Sequence, residues 1–382
     1  MSTLYLDHAA TSYPKDPRVL RAMIDAMENV GVAPGRGSSR RSAAADLILE
    51  QARVRAARLF SVDTPERITF TFNATDALNL VIKGWLSPGD EVVATTMEHN
   101  SVLRPLRGLE RRQGIRWTAV EADSEGFVPP AKVLEAVRES TRLVVMCHAS
   151  NVTGTLQPVE EIGAELKRRP GRRLFLVDAA QTAGYRSLCG VAAVADAIVA
   201  SGHKGPGGPL GTGMLWLRAG QEISPLREGG TGTASDQLDQ PTKDPGSLEA
   251  GSLNLPGIAG LSEAMRIALE ELGLEGIEAA RLRATSRFLD RVGSIRHVGC
   301  FGPWSAERRE PVFALRVDRH STEEAGVILE QAFRIEQRAG LHCAPLAHRT
   351  LGTAPAGTLR LSFGSSPSDA EVDRAIEALS ML

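Results

Sequence analysis

Short apolar runs alternate with amphipathic stretches along the first two thirds of the chain. The runs have four or five residues each, and the stretches between them repeat an apolar residue every three or four positions. Buried parallel strands have continuous apolar runs and their connecting helices are amphipathic, so this pattern predicts an α/β fold. We expect a mostly parallel seven-stranded sheet with helices on both faces. The predicted strands are 68–72, 91–95, 116–120, 143–147, 174–177, 197–200 and 214–217.

Helices are predicted before and between these strands. The first begins where Asp16 can cap it and Pro17 suits its first turn. The predicted helices of this part are 16–29, 43–60, 75–86, 101–113, 130–139 and 159–168.

From about residue 256 the pattern changes to long helices with few strands, which predicts a smaller α+β domain at the C-terminal end. Its predicted helices are 256–272, 276–292, 322–333 and 368–380, and its predicted strands are 311–317 and 358–362. We expect a large domain of residues 16–255 and a small domain that combines 1–15 with 256–382. Residues 229–256, rich in Gly, Pro, Thr and Asp, are predicted to form a long ordered loop with a function.

Composition excludes several classes of protein. Hydrophobic residues make up 42% of the 382 residues, which is enough for a large core. A net charge of −2 gives no general attraction to nucleic acid or to anionic membranes. We see neither a membrane-spanning run nor a secretion signal at the N-terminus, and the four Cys form no C-x-x-C pair. We therefore expect reduced thiols, a cytoplasmic location and no metal site.

Lysine is rare in this chain. Only six of the 44 basic residues are Lys, and one of them, Lys204, lies in a Gly-rich loop after the predicted strand 197–200. Unlike Arg, Lys can lose its proton and then form a Schiff base. The loop lacks the spacing of a nucleotide-binding P-loop. A Schiff-base lysine fits this position better than a lysine that binds only phosphate.

Other polar residues follow the predicted strands where a parallel sheet binds its ligands. Ala74 and Thr75 open a helix whose free amides could hold a phosphate, His99 could exchange protons or stack on a ring, and Asp178 needs a partner if buried. Each of these residues, considered alone, is more simply interpreted as a helix cap or a surface residue. Together with Lys204 they form the set that pyridoxal phosphate requires: an amine, an acid for the ring nitrogen and a phosphate cradle.

One segment of the C-terminal part also suggests chemistry. His342 and Cys343 are adjacent in a loop bounded by Gly and Pro, and Arg338 is near in sequence. Such a Cys could be a reactive thiolate or a small packed hydrophobe. A metal site is disfavoured because no four ligands have the usual spacing.

Eight segments, in order along nearly the whole chain, form a specific set. They are YLDHAATSYPK at 5–15, NATDALNL at 73–80, MEHNSVL at 97–103, SNVTG at 150–154, VDAAQ at 177–181, SGHKGPGGPLGTG at 201–213, EAGSLN at 249–254 and RAGLHCAP at 338–345. With these segments the chain resembles the class V aminotransferase superfamily, specifically its cysteine desulfurase and selenocysteine lyase branch. The compact RAGLHCAP loop is similar to that of the group II type.

The resemblance implies fold type I of the pyridoxal phosphate enzymes and a homodimer with active sites at the subunit interface. It implies that Lys204 forms the Schiff base, His99 stacks on the ring and moves protons, Asp178 pairs with the ring nitrogen and Gln181 reaches the ring hydroxyl. Further positions match the phosphate and substrate contacts of the family. The implied phosphate contacts are Ala74, Thr75, Ser201 and His203, with Gly251 and Ser252 from the other subunit. The resemblance places Asn151 near the ring and the substrate. It places Arg360 at the substrate carboxylate, with Arg338 as a second candidate.

By the same resemblance Cys343 accepts sulfur. We therefore expect a cysteine desulfurase that converts L-cysteine to L-alanine and passes the persulfide sulfur on Cys343 to an acceptor, which can be another protein. A selenocysteine or modified-cysteine lyase, or an aminotransferase-like enzyme that does not use Cys343, is the alternative. One departure affects the carboxylate loop: relatives often carry Asn-Thr soon after the Arg360 position, where this chain has residues 365–368 with the sequence SSPS.

Overall fold

The computed structural model describes residues 2–35, 37–232, 236–242 and 245–382. Its strands are β1 (Leu4–Tyr5), β2 (Ile68–Thr71), β3 (Glu91–Thr95), β4 (Arg116–Val120), β5 (Thr141–Cys147), β6 (Leu174–Asp178), β7 (Ala197–Ser201), β8 (Gly213–Leu217), β9 (Val298–Phe301), β10 (Val312–Val317), β11 (Ile335–Glu336), β12 (Arg338–Gly340) and β13 (Thr358–Ser362).

Its helices are α1 (Pro17–Asp25), α2 (Arg40–Phe60), α3 (Ala74–Trp85), α4 (Asn100–Gln113), α5 (Pro130–Ala136), α6 (Val159–Arg168), α7 (Cys189–Val194), α8 (Leu255–Arg266), α9 (Leu274–Val292), α10 (Thr322–Phe333), α11 (Pro345–Thr350) and α12 (Asp369–Ser380). Two of them continue as π-helical turns, α1 into Ala26–Val30 and α8 into Ile267–Leu272.

The seven strands predicted for the large sheet form one sheet in the order β2-β8-β7-β6-β5-β3-β4. All neighbours are parallel except β8, which is antiparallel to both β2 and β7. The mostly parallel α/β fold is thus confirmed. A parallel connection needs about a dozen residues or more, usually with a helix. Residues 202–212, between β7 and β8, instead form turns, and the strand returns antiparallel.

Some predicted boundaries are wrong by a few residues, and these differences affect the site. Strand β6 includes Asp178 and strand β7 includes Ser201, so these polar residues are the last residues of buried strands. Helix α5 ends at Ala136 rather than at residue 139, because Val137 is extended and turns its side chain into the core. Helices α7 and α11 were not predicted, since six residues are too few for a clear helical period.

The predicted loop 229–256 is only partly described. Residues 233–235 and 243–244 lie outside the described residues, and α8 begins at Leu255. Pro256 lies in the first turn of α8, where its missing N–H costs nothing, and Asn254 caps this turn by accepting a hydrogen bond from Gly257 N at 3.1 Å.

A second sheet is formed by the C-terminal part, with the antiparallel order β12-β13-β10-β9. The sequence predicted β10 and β13 but not the shorter β9 and β12. Strand β1 pairs in parallel with β11 at the other end of the chain. Leu4 and Leu6 pack in the same apolar cluster as Phe288, Phe313 and Phe363. This packing supports the expected grouping of residues 1–15 with the C-terminal part, although the domain division stays a prediction.

Two structural features are absent from the described residues. None of their helices is long and apolar enough to cross a membrane. None of their His, Cys, Asp and Glu side chains gather in a group of three that could hold a metal ion.

Candidate active site

A cavity of about 220 Å³ lies where the carboxyl ends of β5, β6 and β7 meet the N-termini of α3 and α4 and the loop after β12. Twelve of the predicted site residues line it. They are Ala74, Thr75, His99, Asn151, Asp178, Gln181, Ser201, His203, Lys204, Arg338, Cys343 and Arg360. Gly251 and Ser252 do not line it. They lie on a separate cavity beside Pro34 and Arg53.

Asp178 is the buried carboxylate of this cavity, with 7% of its surface exposed. Its Oδ1 accepts a hydrogen bond from the backbone N–H of Ala180 at 2.9 Å. Burial raises the pKa of Asp178, whereas the Ala180 bond and the charge of Lys204 act in the opposite direction. A carboxylate in this position therefore favours a cationic partner in the cavity.

Lys204 lies in the turn after β7. Its amine makes no hydrogen bond or ion pair with another residue that the structure describes. The pKa of Lys204 is lowered to about 8, mainly by burial; Asp178 and Asp7 act to raise the pKa, whereas the guanidinium groups of Arg360 and Arg338 act to lower it. Near neutral pH, more of this amine is therefore unprotonated than for a lysine in solvent. An unprotonated amine is the form that attacks a carbonyl carbon.

His99 is held as a neutral ring. Its Nδ1 accepts a hydrogen bond from Ser101 N at 3.1 Å and lies 2.8 Å from Ser101 Oγ. Burial lowers the pKa of His99 to about 4. Since Nδ1 is the acceptor, the ring hydrogen is on Nε2. Ser101 also contacts the hydroxyl of Thr75 at 2.7 Å, which connects the start of α4 to the start of α3.

The start of α3 has the features of an anion site. Asn73 caps this 12-residue helix through a hydrogen bond from Asp76 N to its Oδ1 at 2.9 Å, and Asn73, Ala74 and Thr75 all line the cavity. The first amides of a helix and its dipole favour a phosphate. Sequence reasoning missed Asn73 and Ser101 as members of the site, although both stand inside quoted motifs.

Arg360, on β13, is 2% exposed and is held by two acceptors. Its Nη1 donates to the carbonyl of Asn151 at 3.0 Å, and its Nη2 donates to Asp7 Oδ1 at 2.5 Å. Burial lowers the pKa of Arg360, and the Asp7 carboxylate opposes this shift. Asp7 was also missed, because the sequence does not show that residues 353 positions apart form an ion pair.

Cys343 lies in a loop with unusual backbone geometry. His342 and Cys343 have φ angles of 49° and 58°, in the left-handed region that non-Gly residues rarely adopt. The loop is fastened by its carbonyls: Asn151 Nδ2 donates to His342 O and Asn100 N donates to Cys343 O, both at 2.7 Å. The Cys343 side chain is exposed, which rules out the interpretation of a packed hydrophobe.

Glu98, directly before His99, is an acid with no exposed surface behind the cavity. Its Oε1 accepts hydrogen bonds from Thr95 Oγ1 at 2.6 Å and from Cys147 N at 3.1 Å. Its Oε2 has no partner among the described residues, and burial raises the pKa of Glu98 to about 8. The sequence does not indicate that Glu98 is buried behind the cavity, because Glu is rarely buried in proteins.

The departure from the family pattern after β13 lies away from this cavity. Residues 365–367 line a second cavity, and Ser368 caps α12 by accepting a hydrogen bond from Glu371 N at 3.3 Å.

Comparisons with known proteins identify the family of the chain. The family model described as Aminotransferase class-V matches residues 4–375. A probable cysteine desulfurase of Methanothermobacter thermautotrophicus is 33% identical, with 98% of this chain and 94% of the relative aligned. A cysteine desulfurase of Haloferax volcanii is 30% identical, with 98% and 88% aligned. The structure of a cysteine desulfurase from Thermococcus onnurineus NA1 superposes with a TM-score of 0.91 at 30% identity, covering 99% of this chain and 94% of that one.

Proposed function

Since the chain belongs to the class-V aminotransferase family and matches its cysteine desulfurases over almost its whole length, we propose that it is a pyridoxal phosphate-dependent cysteine desulfurase. It would convert L-cysteine to L-alanine and leave a persulfide on Cys343. The observation that carries the proposal is the meeting of an exposed thiol with the amine of Lys204 and the carboxylate of Asp178 in one cavity. A transaminase would not need the thiol.

The residues present fit the cofactor. Asp178 is a buried acid that forms no ion pair with a described residue, Lys204 is an amine with a lowered pKa, and the start of α3 can hold a phosphate together with Ser201 and His203. The neutral ring of His99 can stack on a pyridine ring, and Gln181 is within the same lining. When bound, pyridoxal phosphate would supply a ring that accepts the electron pair released at the substrate α-carbon.

The side chains divide the remaining work. Arg360, with Arg338, binds the substrate carboxylate, and the Lys204 amine takes the α-proton. The Cys343 thiolate attacks the sulfur of L-cysteine, so a sulfur–sulfur bond forms while the bond between sulfur and Cβ breaks. The electron pair of the broken bond stays on Cβ, which takes up a proton, and the Lys204 ammonium returns a proton to the α-carbon to give L-alanine. A sulfur acceptor, which can be another protein, then takes the outer sulfur.

Product analysis tests this function. Purified holoenzyme would be incubated with L-cysteine, L-selenocysteine or L-cysteine sulfinate, with and without reductant. We expect alanine from L-cysteine and a mass increase of one sulfur on the peptide that contains Cys343. Alanine without that mass increase would favour a lyase on selenocysteine or a modified cysteine. Keto-acid formation without alanine would favour an aminotransferase.

We propose that the enzyme is a homodimer whose partner supplies Gly251 and Ser252 to the phosphate. Both residues lie outside the cavity of their own chain. Large apolar side chains are also exposed on α1, on its π-helical turn and on α2, where a second copy would cover them: Leu20, Ile24, Met27, Leu47 and Val54.

Mixed dimers test the shared site. Lys204→Ala and Ser252→Asp variants, each inactive alone, would be mixed under exchange conditions. If each site combines two chains, half the dimers are mixed and have one intact site each, so activity returns to about a quarter of wild type. No recovery after proven subunit exchange, or an active monomer in sedimentation, would contradict the proposal.

The cysteines support a reducing compartment. All four are free, and Cys343 is exposed. An exposed nucleophilic thiol stays reduced most easily in the cytoplasm, which we propose as the location.

A further inference from the structure

The carbonyl oxygen of His203 receives an unusual number of hydrogen bonds. It belongs to the peptide group that joins His203 to Lys204. Four donors of the N-terminal segment lie within hydrogen-bond distance of it: Ser12 N at 3.0 Å, Thr11 Oγ1 and Ser12 Oγ at 3.1 Å each, and Lys15 Nζ at 2.8 Å. A carbonyl oxygen has two lone pairs. The need to satisfy one carbonyl acceptor therefore does not explain four donors.

Lys15 is the charged member of this group. It is half-buried, and its other hydrogen bond goes to Ser12 Oγ at 2.7 Å. No described carboxylate pairs with it, and burial lowers its pKa to about 8. Holding an ammonium group there without a counter-ion costs free energy. Such a cost in stability is typical of a residue that has a functional role in addition to any structural one.

The turn of Lys204 has open space on the side where Lys15 lies. A second cavity, of about 520 Å³, is lined by Ser12 and Lys15 and by the turn residues Gly205, Pro206 and Gly207. That side of the turn therefore faces a cavity, whereas Gly205 lies directly against the Ala183 carbonyl on another side. The hydrogen bonds to the His203 carbonyl are what fastens the turn to the N-terminal segment.

The same N-terminal segment touches the cofactor cavity. Ala9 and Ala10 line that cavity, and Ala9 O accepts a hydrogen bond from Gln181 Nε2 at 3.0 Å. Lys15 thus ties the Lys204 turn to a segment that is itself part of the cavity wall.

We propose that Lys15 is a positioning residue for Lys204. Its ammonium group fixes the His203–Lys204 peptide, so that only the side chain of Lys204 moves when the amine binds the cofactor or releases it to the substrate. The inference rests on the proposed function, since it assumes that Lys204 binds pyridoxal phosphate. Lys15 touches neither cofactor nor substrate in this role.

Cofactor loading tests it without turnover. Apoenzyme of wild type, Lys15→Met and the control Lys132→Met, an exposed lysine of α5, would be mixed with pyridoxal phosphate. The appearance of the visible band of the Lys204-bound cofactor and its pH titration would be recorded. We expect Lys15→Met to load about tenfold or more slowly with a shifted titration midpoint, because a displaced reacting group loses rate steeply. Lys132→Met should match wild type, and Lys15→Arg should be intermediate.

Steady-state kinetics with L-cysteine give the second readout. We expect kcat of Lys15→Met to fall about tenfold with KM within twofold, since carboxylate binding by Arg360 is unchanged. If Lys15→Met does not fold, Lys15→Gln replaces it with the same expectations. A folded neutral variant that loads and turns over like Lys132→Met, even with a lower melting temperature, overturns the inference. Failure of the wild type itself to load the cofactor would instead overturn the proposed function.

Discussion

Asp178 and Cys343 reach the same cavity from two regions built in different ways. Asp178 is the last residue of a strand whose residues are all buried, in the middle of the seven-stranded sheet. Cys343 is an exposed residue of a loop with a left-handed backbone, which is held by hydrogen bonds to two of its carbonyls. The sheet gives the cofactor side a fixed geometry, because close packing resists displacement. The loop leaves the thiol accessible, as a group that must take sulfur and hand it on requires.

The largest expected loss of activity follows substitution of Lys204, at the end of the large sheet. Lys204→Arg keeps the positive charge but cannot offer a free amine. We expect alanine formation from L-cysteine to fall by about a thousandfold or more, and the borohydride-stable attachment of the cofactor to be lost. Amino-acid analysis and mass spectrometry measure both. Full activity in this variant would remove Lys204 from the mechanism.

A substitution of Cys343, in the loop, should abolish sulfur transfer without affecting cofactor binding. In Cys343→Ser we expect the visible cofactor spectrum of wild type and a loss of alanine formation of about a hundredfold or more, because a hydroxyl is a far weaker nucleophile than a thiolate. Cys189→Ser, which changes an exposed thiol of α7, is the matched control and should be fully active. If Cys343→Ser retains near wild-type activity with L-cysteine, an enzyme that does not use Cys343 becomes the better interpretation.

A smaller effect is expected where the two regions meet. Asn151→Ala removes the hydrogen bond to the His342 carbonyl, so the loop should lose part of its fixed geometry. We expect about tenfold less alanine formation, together with faster alkylation of Cys343 by iodoacetamide. Gln113→Ala, at the exposed C-terminal end of α4, controls for the substitution. Unchanged alkylation and turnover would show that the Asn100 contact alone holds the loop.

The smallest effect concerns stability on the sheet side. Glu98 has a pKa raised from 4.5 to about 8, so between these values the folded protein binds a proton that the unfolded chain has lost. The contribution of Glu98 to stability therefore falls as pH rises through this window. Glu98→Gln cannot ionise and should gain stability relative to wild type by about 1 kcal/mol or more between pH 5 and pH 7.5. Urea unfolding at both pH values measures it; a constant difference would mean that Glu98 ionises normally.

The difference between the sheet and the loop also explains which features could be predicted from the sequence. The seven strands were predicted with errors of a few residues, since most of them are short, mainly apolar runs. Asp178 and Lys204 were also predicted, because each follows such a run. Asp7, Ser101 and Glu98 were missed as contributors, because their roles depend on contacts between segments. Gly251 and Ser252 stay predictions, since their partner would be another chain.

The sequence by itself determined the strand and helix pattern, the order of the sheet-end residues and the family, because apolar periodicity and motif spacing are local properties. Only the tertiary structure decided that Asp7 pairs with Arg360, that the exposed Cys343 lines the same cavity as Lys204, and that Lys15 donates a hydrogen bond to the His203 carbonyl. Each of these joins residues far apart in the chain. Such contacts form only when packing of the folded chain brings distant segments together, and no local sequence pattern indicates them.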